Sequence, residues 1–108
     1  MLRIQVVPSG KNDAYRLFRS HVTHEAQTWF WANRAKTKLR HKNSKRGYIE
    51  VGGSEGVLIA EVRPYDGRDR YLLTEKFVGR LTAWFPEELA AINIQFVEND
   101  TQRRKKRR

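Results

Sequence analysis

The sequence predicts an α+β fold: a four-stranded antiparallel sheet with two helices on one face. Three observations carry this expectation. Apolar and polar residues alternate at the start and end of the chain and in two runs near its middle, as strands with one buried face require. Two stretches between those runs repeat their apolar residues about every 3.6 positions, the period of an amphipathic helix. A glycine-rich segment separates the two middle runs, which marks a hairpin.

Taken in order, Leu2, Ile4 and Val6 alternate with Arg3, Gln5 and Val7 until Pro8-Ser9-Gly10 stops the first strand. Asn12 or Asp13 can cap a helix, and from there Ala14, Leu17, Phe18, His21, Val22, Trp29, Ala32, Ala35 and Leu39 follow one side of a helical wheel. Neither Gly nor Pro occurs between Lys11 and Arg46, so the simplest expectation is one long helix from Asp13 to about Arg40. A competing pattern overlaps its second half. From Arg34 to Lys42 every even position is basic, with Ala35, Thr37 and Leu39 at odd ones, which is strand periodicity with a cationic face. Ala, Arg, Lys and Leu favour the helix.

Tyr48–Val51 and Val57–Arg63 read as two strands joined through Gly52-Gly53-Ser54-Glu55-Gly56. Pro64 and Asp66-Gly67 end the second of them, and Gly67-Arg68-Asp69-Arg70 reads as a charge-paired loop. Leu73, Phe77, Leu81 and Trp84, flanked by Val78 and Phe85, mark the second helix, with Pro86 opening a short turn through Ala91. Ile92, Ile94 and Phe96 alternate as the last strand. The order is βαββαβ, the ferredoxin-like arrangement, with the first helix or the segment after it extended and basic. Residues 1–98 are expected to form one domain, and 99–108 a disordered polybasic tail. An arrangement of this generality licenses no function by itself.

Charge supplies the functional clue. The formal net charge is +10, yet thirteen of the 22 Lys/Arg lie in two acid-free segments, 34–46 and 103–108, and the remaining residues are slightly acidic in balance. Segregated charge is an electrostatic footprint, and an anionic partner is expected at it. The first segment follows directly on Trp29, Phe30 and Trp31, so π-faces for bases stand beside cations for phosphates. On the helical wheel Trp29 belongs to the core stripe, whereas Phe30 and Trp31 leave it. Trp31 then either stacks on a base or is buried by some other feature of the fold.

The expected nucleic-acid contacts are Phe30, Trp31, Arg34, Lys36, Lys38, Arg40, Lys42, Lys45, Arg46 and Tyr48, together with Arg103, Arg104, Lys105, Lys106, Arg107 and Arg108. The open sheet face is expected to lack the stacking aromatics of RNA-recognition domains, which puts the basic extension ahead of the sheet as the binding element. The expected partner is RNA or DNA, single-stranded rather than duplex, read with little sequence specificity.

Two rival functions fit the same residues. A small metal-independent ribonuclease could use His21 or His24 as base, with Glu25 or Tyr48 nearby and an Arg or Lys on the phosphate. A ribosomal or capsid-like assembly subunit could bury the tail in RNA. A non-enzymatic binder without cofactor or metal is the primary expectation, and homo-oligomerisation is compatible with it. There is no cysteine, which excludes disulfides and thiol chemistry. No signal-peptide core or membrane-length run is visible, so a cytoplasmic location is expected, with nuclear import open to the basic tail in a eukaryote.

Overall fold

The computed structural model describes residues 2–42 and 44–96, with the backbone alone for 44–46. Eight elements follow one another: β1 (Leu2–Pro8), α1 (Ala14–His24), β2 (Trp29–Trp31), β3 (Lys38–His41), β4 (Ser44–Ser54), β5 (Val57–Pro64), α2 (Asp69–Trp84) and β6 (Leu89–Phe96). The six strands form one sheet in the order β2-β3-β4-β5-β1-β6, and every neighbouring pair is antiparallel. The α+β class holds, but the expected four-stranded sheet does not. Two strands, β2 and β3, extend it beyond β4, and they come from the segment expected to continue the first helix.

That helix stops at His24, with the Glu25 and Ala26 amides both closing on the His21 carbonyl. Its start is capped as expected, by the Asp13 carboxylate accepting from the Arg16 amide at 3.0 Å. A helix from Asp13 to Arg40 would run about 42 Å at ~1.5 Å per residue, far beyond the sheet it packs on. Instead the chain reverses. Trp29-Phe30-Trp31 are aromatics suited to a pleated surface, and they pair with Leu39–His41 in the register Trp29↔His41, Phe30↔Arg40, Trp31↔Leu39. The turn between these strands is tied by Asn33, whose side-chain carbonyl accepts from the Thr37 and Lys38 amides at 3.1 and 3.0 Å. Lys36 completes it at φ 57°.

Both helices cover one face of the sheet. Rows of side chains run across that face, the longest being Trp31-Leu39-Ile49-Val62-Leu2-Phe96. Phe18 of α1 and Phe77 of α2 meet above them with ring centroids 5.4 Å apart, each almost fully buried. Each such ring contributes about 1.5–3 kcal/mol by leaving water.

Other boundaries shift by a few residues. The β4–β5 strands run in to Ser54 and Val57, so their connection is the two-residue turn Glu55-Gly56, both at positive φ, rather than a five-residue glycine loop. Helix α2 begins at Asp69, inside the segment expected to be a loop, and Asp69 is buried. Strand β6 begins at Leu89, where an extra turn was expected. The expected tail lies outside the described residues. Among the described residues no helix is long and apolar enough to cross a membrane.

Candidate nucleic-acid interface

Strand alternation sorts the aromatic and cationic residues of β2–β5 between two faces. Trp29, Trp31, Leu39, His41 and Ile49 point to the helices; Phe30, Lys38, Arg40, Tyr48 and Glu50 point to the open face. Trp31 is therefore not a free stacking platform. Its ring meets Phe18 edge-on at 6.1 Å, and its indole N–H donates to the Thr23 hydroxyl at 3.2 Å. Of its two sequence-level readings, the structure gives burial against α1.

Phe30, by contrast, stands 40% exposed on the open face, directly opposite Arg40. Lys38 reaches over the Tyr48 ring, its ammonium 5.3 Å from the centroid. Arg40 donates to the Tyr65 hydroxyl at 2.8 Å, with its guanidinium carbon 6.0 Å from that ring's centre. Arg63 is the cross-strand neighbour of Tyr48, and Arg3 that of Glu61. One end of the open face thus gathers Phe30, Tyr48 and Tyr65 with Lys38, Arg40 and Arg63. The expectation that this face lacks aromatics is overturned, because it rested on placing residue 30 in a helix.

Sequence reasoning missed Arg63, Tyr65 and Arg3. Their signal was present in the alternation of β1 and β5, but only the pairing register brings those strands beside Lys38 and Tyr48. Two carboxylates lie on the same face. Glu61 is within 3.9 Å of Arg3 and 3.5 Å of Arg63, and Glu50 is 3.9 Å from Arg63. Pairs this exposed contribute about 0–1 kcal/mol each. Their effect is positional: they hold Arg3 and Arg63 on the sheet, and Glu50 also lies cross-strand from Lys38.

The remaining expected contacts disperse. Arg34 is exposed in the β2–β3 turn, and Lys42 at the end of β3. Lys36 turns to the helix side, where it lines a hollow of about 370 Å³ with Arg16, Arg19, Ser20, Thr23 and His24; no carboxylate lines it. The side chains of Lys45 and Arg46, and the whole of Arg103, Arg104, Lys105, Lys106, Arg107 and Arg108, lie outside the described residues.

The histidines do not form a common site. His21 lies against Trp84, centroids 4.2 Å apart, with Nδ1 2.9 Å from the Glu25 carboxylate. His24 borders the hollow beside Arg16 and Arg19. His41 is buried beneath β3, its ring edge-on to Trp29 at 4.8 Å. Burial, with Lys76 and Arg80 nearby, pushes its pKa below the ordinary 6.5. No group of three or more His, Cys, Asp or Glu among the described residues is placed to hold a metal.

Comparison of the chain with protein-family models, with curated proteins and with solved structures gives no match.

Proposed function

We propose that the protein binds single-stranded nucleic acid on the open sheet face at the β2–β5 end, with little sequence specificity. The observation that carries this reading is the convergence of Phe30, Tyr48, Lys38, Arg40 and Arg63 on one exposed face, from four strands. Flat rings offer stacking that any base can use, and the cations neutralise the phosphates between stacked bases. Phe30 is the primary platform, because it is among the exposed large apolar residues and stands on the open face beside Arg40. Tyr48 and Tyr65 each keep one ring face toward a cation, which fits a base to the other face. A duplex hides its base faces inside the stack, so the single strand is the better ligand. Lys42, Lys45, Arg46 and the six cations of 103–108 are proposed to add phosphate contacts.

Binding of fluorescent single-stranded RNA, single-stranded DNA and duplex of equal length, each at two salt concentrations, tests the reading. Tighter binding of either single strand than of duplex is expected, together with loss of affinity on Phe30→Ala. Equal or tighter duplex binding, or no binding at low salt, overturns it.

A further inference from the structure

The sheet has two edges, and they are treated differently by the sequence. The β2 edge is three residues long and runs into a turn bearing Arg34, a short and charged end that discourages pairing. The β6 edge is eight residues long, Leu89–Phe96, and contains no charge and no proline. Among the described residues its backbone pairs with β1 on one side only. The helices pack mainly over β1, β2, β4 and β5, and only the start of β6, at Leu89 and Ile92, packs against the core. Ile94 is consequently 43% exposed and Phe96 73% exposed, although both continue the core rows of the sheet.

We propose that β6 is a homodimer interface, in which two copies pair their β6 strands antiparallel and join their sheets into one. Two features of this chain select a second copy as the occupant. The first is self-complementarity. With the two-fold axis at Ile94, Ile94 faces its own equivalent, Ile92 faces Phe96 of the second copy, and Asn93 faces Gln95. Ile92, Ile94 and Phe96 then meet on the helix side, and Asn93 and Gln95 on the open side. On the helix side, Phe85, Pro86, Leu89 and Ile92 line a hollow of about 320 Å³. Phe96 of the second copy is carried opposite Ile92, on the rim of this hollow.

The second feature is charge. A chain of net charge +10 repels its own copies, and they can approach only where the cations are absent. Strand β6 provides such a stretch, and the same neutrality gives an anionic partner nothing to hold. The axis of an antiparallel edge pairing stands perpendicular to the sheet. Both open faces therefore point the same way, with their Phe30 ends at the two extremes.

The test is the solution mass of the full chain, freed of nucleic acid in high salt, by sedimentation or light scattering. Twice the 12.8 kDa chain mass is expected at micromolar concentration. Ile94→Lys and Phe96→Lys, both at exposed positions, are expected to give monomers with unchanged circular dichroism. Because the chain has no cysteine, Ile94→Cys reports the register directly, by forming a disulfide-linked dimer on mild oxidation. A chain ending at residue 98 should remain dimeric. A monomeric wild type, a dimer that survives both lysine variants, or a dimer lost on removing 99–108 each overturns the proposal. The last outcome would make dimerisation a property of the tail.

Discussion

Phe30 and Trp31 are adjacent in the chain and lie on opposite faces of the sheet, Phe30 beside Arg40 on the open side and Trp31 against Phe18 on the helix side. This single alternation divides the aromatic segment into an exposed residue, the proposed stacking platform, and a packing residue. Phe30→Ala is expected to leave the melting temperature nearly unchanged and to cost about 1–3 kcal/mol of single-strand affinity. Trp31→Ala should instead destabilise the fold by about 2–3 kcal/mol, somewhat less than the ~3–5 kcal/mol of fully buried Trp29→Ala. Melting curves and binding isotherms for the three variants check the division. A Trp31→Ala protein that folds normally but loses affinity would reverse it.

In the proposed binding mode the cations on the same face act through phosphates, so their signature is in salt. Each contact on a single strand contributes about 0.7 to the slope of log affinity against log salt. Lys38→Gln with Arg40→Gln should flatten that slope by about 1.4, whereas Phe30→Ala should not move it, since stacking releases no counterions. An unchanged slope in the double variant would take β3 out of the phosphate path.

How much of this arrangement could be read beforehand depends on which pattern the chemistry leaves in one dimension. Strand β1 and the apolar spine of α2 were legible because their faces are buried and their period is clean. The path after His24 was not. Trp29, Ala32, Ala35 and Leu39 satisfy a helical wheel by spacing alone, and a wheel carries no information about a chain that reverses. The decisive local signals were the β-favouring Trp29-Phe30-Trp31, the turn-forming Asn33, and the alternation of Lys38, Arg40 and Lys42. Against them stood residues of good helix propensity, which packing overrode once Trp29 had a core site beside Phe77. Arg63 and Tyr65 could be placed beside Arg40 only by the register of the sheet, which no local pattern states.

Adjacent glycines in β4 offer a sharper check of how α1 sits on the sheet. A Cβ added to Gly53 would lie 2.6 Å from the Tyr15 ring, while one added to Gly52 meets nothing within 4 Å. Gly53→Ala should therefore cost about 1–3 kcal/mol by overpacking. Gly52→Ala on the open face should be neutral or stabilise by up to about 1 kcal/mol. Denaturant midpoints of the two variants distinguish them. Equal midpoints would mean that Tyr15 does not close over Gly53.

The buried His41 predicts a pH dependence whose sign is fixed. Desolvation, assisted by the positive charges of Lys76 and Arg80, lowers its pKa in the folded protein below 6.5. In the unfolded chain the imidazole takes up its proton as the pH falls through about 6.5; in the folded chain it does so only at lower pH. Between those two values the unfolded state binds more protons, so stability falls as the solution is acidified. The contribution is fully present above about pH 6.5 and is lost progressively below it, levelling off once the folded-state pKa is passed. Urea midpoints at about pH 7.5 and 5.5 should accordingly show the wild type weaker at the lower pH. His41→Phe keeps an aromatic ring against Trp29 and removes the titration, so its midpoint should change less over the same interval. The difference between the two slopes is the readout, because groups that titrate alike in both proteins cancel from it. Parallel slopes would show that His41 can take up its proton without cost to the fold, and that the ring is not held neutral beneath β3.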